Sequence, residues 1–301
     1  MNNHYWLYKT TCGISAVLLL FLAFSPLITL AFYNSIEAST NTTIHEDNNS
    51  TNQNTEPIAS YLDEQPPQQY SNKPIYDIYT VAERANRNLS HALPAVTPYY
   101  GEKTVYLTFD DGPDPDNTPI VLDILKANNI KATFFVIGNN IEKHPDILKR
   151  IYVEGHAIGN HSYNHVYRDL YKSPKAYIDQ LQTTDTIIKN VIGVRPRISR
   201  APGGSAGSFT KAYWELLKSL GYIEVGWNVS SGDASTAKAP QIINNIAYQM
   251  ENKFLWSHAI VLMHDGRGHT ETVAALPEII KYFKERGFEF RVINLETPPA
   301  W

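Results

Sequence analysis

From Thr104 to the end of the chain, short apolar runs alternate with longer amphipathic ones. The runs at 104–109, 132–137, 156–160, 196–200, 222–228, 259–264 and 288–294 have the length and density of buried strands. A helix is predicted from near Asn117, carrying Ile120, Leu122, Ile124 and Leu125. Another is predicted from near Thr270, where Val273, Leu276, Ile279, Ile280 and Phe283 recur at helical spacing. Segments 141–153, 174–190, 209–220 and 240–252 complete the helical series. Strand and helix alternating about seven times predict an α/β fold with a parallel sheet, and over about 200 residues such a sheet closes into a distorted (β/α) barrel.

The first third of the chain has a different texture. Residues 12–33 carry no charge and are long enough to cross a hydrocarbon core of about 30 Å as a helix. A cleavable signal has a shorter apolar stretch of roughly 7–15 residues and a small-residue site. Residues 1–33 therefore read as a membrane anchor, with a secreted protein as the outcome if the segment is cleaved. Lys9 before the apolar stretch and Glu37, Glu46 and Asp47 after it favour a cytoplasmic N-terminus, hence a single-pass protein with its larger part outside the cell membrane. Residues 34–72 are rich in Asn, Thr, Ser, Gln and Pro and read as a flexible spacer. Residues 73–100 regain Tyr, Ile and Leu and are expected to pack as an arm on the domain at 101–301.

Composition narrows the chemistry. The formal net charge of −4 and the absence of a basic stripe argue against nucleic acid as a partner. No protein partner is evident. Cys12 is the only cysteine, so a disulfide framework or thiolate cluster within the chain is excluded. Any metal must be held by nitrogen and oxygen.

Working residues of an α/β barrel sit at the C-terminal ends of its strands. Asp110 and Asp111 end the first predicted strand, His161 and His165 follow the third, Arg200 ends the fourth, Asp233 lies beyond the fifth, and His264 ends the sixth. Two adjacent carboxylates repel each other unless a cation lies nearby. Two histidines four residues apart, read as sharing a helical turn, form with one Asp a metal set that leaves positions open for water and substrate. The other Asp is then free to act as a base. Among the remaining histidines, His144, His156 and His258 are expected in packing or surface roles and His269 outside the site. Asp265 is expected to fix the loop after His264.

At these positions the chain resembles carbohydrate esterase family 4, the NodB-like polysaccharide deacetylases. Thr108-Phe109-Asp110-Asp111 resembles the first family motif and His161-Ser162-Tyr163-Asn164-His165 the second. Arg200-Ala201-Pro202-Gly203 is similar to the third, Asp233 falls where the fourth supplies an Asp, and Leu262-Met263-His264 is similar to the fifth. The resemblance implies that Asp111, His161 and His165 bind a divalent metal, usually Zn2+, with Co2+ or Ni2+ sometimes serving. It implies Asp110 as general base, His264 as the acid that protonates the departing amine, Asp233 as the partner of His264, Arg200 as the residue orienting Asp110, and the Gly203 N–H as an oxyanion donor. The implied reaction removes N-acetyl groups from a cell-envelope polysaccharide, with peptidoglycan N-acetylglucosamine as the leading substrate.

Two positions depart from the family pattern. Gly203 stands where an aromatic is usual, and Ala234 follows Asp233 where Trp is common. Trp227, Tyr163 and Tyr167 are candidates to supply the missing walls. Three further readings stand beside the leading one: an acetylxylan or chitin deacetylase or small-amide hydrolase on the same site, a non-catalytic glycan-binding or wall-organising barrel, and a non-haem iron oxygenase using the same two histidines and carboxylate.

Overall fold

A computed structural model describes residues 58–63 and 71–300. Strand β1 (Ser60–Tyr61) runs parallel to β2 (Ile75–Asp77), and α1 (Val81–Asn86) follows. Thr80 starts α1 with a reciprocal cap: its hydroxyl accepts from the Glu83 N–H while the Glu83 carboxylate accepts from the Thr80 N–H. Then come β3 (Thr104–Asp110), α2 (Thr118–Ala127), β4 (Thr133–Val136), α3 (Gly138–Lys143), α4 (Pro145–Val153) and β5 (Ala157–Asn160). The middle of the chain forms α5 (Tyr167–Leu170), α6 (Pro174–Ile192), β6 (Arg195–Pro196), β7 (Ile198–Ser199), α7 (Lys211–Ser219) and β8 (Ile223–Glu224). The remainder forms β9 (Val229–Ser230), α8 (Ala239–Gln249), β10 (Ala259–His264), α9 (Thr270–Glu285) and β11 (Glu289–Phe290).

Seven parallel strands in the order β8-β7-β5-β4-β3-β10-β9 curl into the expected distorted (β/α) barrel, and β11 pairs in parallel with the start of β3. Side chains alternate across a strand. Val105, Leu107 and Phe109 of β3 therefore join the layer under the helices, with Leu122, Ile279 and Phe283, while Tyr106 packs inside the barrel with Phe135 and Ile260. The same alternation gives Thr108 and Asp110 to the inner face. No helix separates β8 from β9. Residues 225–228 instead cross that seam as a strap, so of the predicted strand 222–228 only Ile223–Glu224 is strand, and β9 begins just beyond its end.

Other boundaries moved for local reasons. The predicted helix 141–153 is two helices, because Pro145 disfavours helical geometry at His144, whose φ and ψ are −133° and 55°. The run 196–200 divides between two sheets, β6 pairing antiparallel with β2 and β7 pairing with β5. Of 288–294 only Glu289–Phe290 is strand. Helix α6 is bounded by its sequence: Ser173 accepts from the Ala176 N–H, Pro174 occupies the first turn, and Gly193 ends it at φ 82°.

The anchor expected at 1–33 lies outside the described residues, and among those described no helix is long and apolar enough to cross a membrane. Most of the 34–72 spacer is likewise outside them. Its described part is not spacer-like: Ala59 and Leu62 are buried, and Ser60–Tyr61 pairs with Ile75–Tyr76. The arm is held by charge. Buried Asp77 accepts from Arg84, Arg195 and Arg197, Arg84 also reaches Asp63, and Arg195 also reaches Asp185. Three carboxylates thus face three guanidiniums, which makes burial of this cluster tolerable.

Candidate active site

Strand register assembles the site. Asp110 lies level with His264 on one side and Phe135 on the other. The pairing of Ser230 with Leu262 carries the following turn across to His264, where Asp233 meets it. Asp110, Asp111, His161, His165, Tyr167, Gly203, Trp227, Ala234, Leu262, His264 and His269 line one pocket of about 410 Å³ at the C-terminal ends of the strands.

His161 and His165 are not on a helical turn. They sit in the loop between β5 and α5, with Ser162 at φ 78° and His165 at φ 57°. Left-handed residues turn the chain, so the four-residue spacing converges here through a loop. Asn160 sets the loop: its amide donates to Leu181 O and Asp185, and its oxygen accepts from the Ser162 N–H. The Ser162 hydroxyl accepts from the His165 N–H. His161 Nδ1 lies 2.7 Å from Arg200 O, and a carbonyl only accepts, so Nδ1 carries the proton and Nε2 offers its lone pair to the pocket.

His161 Nε2 and His165 Nε2 lie 3.5 and 3.3 Å from Asp111 Oδ1. That oxygen is buried and has no hydrogen-bond partner. Ligands of one tetrahedral ion with bonds of about 2.1 Å stand about 3.4 Å apart. Separation, donor set and orphaned oxygen all fit a divalent ion. Burial pushes the His161 imidazole below its ordinary pKa, against the pull of Asp110 and Asp111, which favours the neutral form a ligand needs. Asp233, His264 and His269 also come within 4.8 Å of one another through one ligand atom each. There, however, Asp233 is already occupied by His264 and Thr272, so that set fits a proton relay better than an ion.

On one side of the pocket, Arg200 Nη1 donates to Asp110 Oδ1 at 2.9 Å and to Thr108 Oγ1 at 2.7 Å. Its Nε and Nη2 donate to Val225 O and Gly226 O, which pins the strap to the barrel. On the other side, Asp233 accepts from both the His264 N–H and Nδ1. Burial lowers the His264 pKa, but the Asp233 bond and the charges of Asp110, Asp233 and Asp111 overcome it and bring the value to about 9. Burial raises the Asp233 carboxyl, but His264, Thr272 and Ser231 together hold it below the usual carboxylate range.

Gly203, at φ 72°, borders the pocket beside Tyr167; a Cβ on it would lie 2.7 Å from the Tyr167 hydroxyl. Tyr167 therefore occupies the space beside the position where an aromatic was expected. Trp227 packs against Gly204 in the same way. Tyr163 does not join them; its hydroxyl donates to Glu142 at 3.0 Å, away from the pocket.

His269 belongs to the site, contrary to expectation. Its ring stacks on His264 at 4.9 Å between centroids. The signal was present in Gly266 and Gly268, which let the chain fold back after β10. Asp265 does fix its surroundings: its Oδ2 accepts from Thr118 at 2.6 Å and lies against Gly112, where any side chain would collide with it.

Residues 98–225 match the polysaccharide deacetylase family. A peptidoglycan-N-acetylglucosamine deacetylase of Bacillus cereus is 36% identical over 199 residues, covering 65% of this chain and 71% of that protein. A carbohydrate esterase family 4 esterase of Streptococcus mutans superposes with a TM-score of 0.61 at 35% identity, covering 65% of this chain and 87% of that one. The catalytic domain of a peptidoglycan N-acetylglucosamine deacetylase from Eubacterium rectale gives 0.61 at 30% identity, covering 69% and 96%. The chain belongs to the polysaccharide deacetylase family, hydrolases that act on carbon–nitrogen bonds.

Proposed function

We propose that this protein is a metal-dependent deacetylase that removes the N-acetyl group from N-acetylglucosamine in peptidoglycan. One observation carries the reading: a carboxylate held by Arg200 and an imidazole held by Asp233 share a pocket with the Asp111, His161 and His165 set. A divalent ion there, Zn2+ being the leading candidate by donor set, would supply Lewis acidity toward the acetyl carbonyl and lower the pKa of water.

Asp110 takes the proton of the attacking water. Its Oδ1 is tied to Arg200, which fixes the carboxylate plane and leaves Oδ2 to accept. The Gly203 N–H, at the pocket wall, donates toward the developing oxyanion. His264 holds a proton and gives it from Nε2 to the departing amine while Asp233 keeps Nδ1 bonded. Retention of acid, base and ligand set supports turnover over a purely glycan-binding role, and the base–acid pair supports hydrolysis over oxygen chemistry. Peptidoglycan as substrate is supported by the names of the B. cereus and E. rectale relatives. Residues 12–33 read as an anchor with the domain outside, near such a polymer.

The test is acetate release by the full chain loaded with Zn2+ or Co2+, on peptidoglycan, chitooligosaccharide and acetylxylan, with mass spectrometry of the sugars. Glucosamine appearing in the peptidoglycan digest supports the proposal. Acetate from acetylxylan alone reassigns the substrate, and no acetate from any of the three rejects the activity.

A further inference from the structure

The end of the barrel opposite the pocket has an unusual surface. Helices α4 and α8 run back from the pocket end and finish where the strands begin, and the turns before β3 and β10 lie at that same end. Phe254 is 88% exposed, Tyr248 75%, Val153 69%, Tyr100 59% and Ile58 51%, and all five are at this end. Of these, Tyr248 lines one depression with Lys253 and Trp256, and Phe254 stands next to Lys253 in the chain, so the apolar exposure is concentrated around residues 248–256.

Phe254 is the most exposed of the five. It stands on a single 3-10 turn, Lys253–Leu255, whose start is fixed by Asn252 Oδ1 accepting from the Phe254 N–H. Trp256 beside it is tied by its indole N–H to Met250 O. The ammonium groups of Lys103 and Lys253 lie 5.0 and 5.4 Å from the Trp256 ring. Aromatic rings flanked by cations suit the headgroup layer of a bilayer, where a ring sits among glycerol groups and an ammonium reaches phosphate.

The chain itself points to what covers this face. The described residues begin at Ile58, which packs beside Gly155 and Lys131 at the same end. Between the apolar stretch 12–33 and Ile58 lie residues 34–57, which even fully extended span at most about 85 Å. Tethering at that range raises the effective concentration of the face near the bilayer, so a small contact suffices.

We propose that Tyr248 and Phe254 dock the barrel on the lipid surface, with the catalytic mouth facing away from the membrane. The proposal rests on residues 12–33 serving as the anchor. The contact is apolar in character, because Glu102, Glu251 and Glu285 offset most of the charge of Lys103, Lys253, Lys284 and Arg286 at this end. Docking sets the reach of the enzyme: the pocket is held one domain's length from the bilayer and oriented toward the wall.

Because Cys12 is the only cysteine, one probe can be placed at will. The full chain carrying Cys12→Ser and Phe254→Cys is labelled with an environment-sensitive fluorophore and reconstituted into vesicles of phosphatidylglycerol and phosphatidylcholine. A second chain, with Cys12→Ser and Ile120→Cys in the first turn of α2 at the mouth end, is the reference. Flotation with the vesicles reports the anchor alone. Docking gives a blue shift and a several-fold intensity gain at position 254, none at 120, both persisting in high salt. Chains that float while the 254 probe stays in water, or while both probes respond alike, overturn docking but not the anchor. Chains that do not float overturn both. A lipid-free dimer that Phe254→Ser dissociates assigns the face to a second copy and also overturns docking.

Discussion

Asp233 holds His264 twice, through its backbone N–H at 2.7 Å and through Nδ1 at 2.8 Å. One carboxylate thereby fixes the ring's position, its tautomer and its charge. Burial alone would disfavour the imidazolium, so the value of about 9 depends on the neighbouring carboxylates.

The sign of the resulting pH dependence is fixed. A pKa raised above its unfolded value of about 6.5 adds stability below that pH, lost as pH rises through about 9. Asp233→Asn should bring the His264 titration down toward or below its ordinary value, as read by NMR of the metal-free protein. In the proposed mechanism only the protonated ring serves the leaving amine, so the alkaline limb of kcat should move down with it. An unmoved titration would remove Asp233 from its role.

Metal loading should raise Tm in the wild type. At a free ion concentration a hundred times Kd the gain is about 2.7 kcal/mol. Asp111→Asn should abolish most of that gain, because the orphaned Oδ1 is the point at which both histidines converge. Calorimetric titration of both proteins with Zn2+ checks this without an activity assay.

Arg200→Ala should cost both stability and rate. It leaves Asp110, Thr108 and two strap carbonyls without their donor, and breaking a buried pair in this way costs about 3–5 kcal/mol. Arg200→Lys keeps the charge but cannot fork to four acceptors, so it should recover only part of either. Urea unfolding and acetate release measure the two effects separately.

Tyr167→Ala should raise KM on oligomeric substrate with a smaller change in kcat, because Tyr167 forms pocket wall and none of the proton-carrying groups. Tyr167→Phe should retain most of the affinity if the ring face is what binds. Gly203→Tyr should not substitute for it: the position has φ 72°, and its Cβ would press on the Tyr167 hydroxyl.

Asp77→Ala should destabilise the protein by about 3–5 kcal/mol, leaving Arg84, Arg195 and Arg197 facing one another at the base of the arm. Asp77 touches no pocket residue, but Arg195 also holds Asp185, the partner of Asn160 beneath the His161–His165 loop, so kcat per folded molecule should fall far less than stability but not stay unchanged. Parallel unfolding curves and active-site titration distinguish the two.

Legibility in the sequence followed how local each signal was. Ala259–His264 is an unbroken buried strand between β3 and β9, and its apolar run marks both its ends. Arg197 and Ile198 fall in one predicted run, 196–200, yet one faces Asp77 and the other the barrel interior, a division set by the distant arm. Spacing marks the paired histidines but not their element, because a four-residue interval is helical only when the backbone is, and Ser162 and His165 are left-handed. For His269 the only local signal is the pair Gly266 and Gly268, which permits a fold-back without requiring one; its stacking partner reaches it only through the turn after β10.

The strap at 225–228 gives the barrel an order of failure. Where a complete barrel would close with a helix-backed strand, this one closes with a short crossing tied at its two ends, by Val225 to Ser199 and by Asn228 to Ile260, and gripped between them by the guanidinium that aims Asp110. Heating should loosen that crossing before the strands themselves part. Catalysis should then disappear at a lower temperature than the far-ultraviolet circular dichroism of the surrounding helices, making lost turnover the earliest sign of damage.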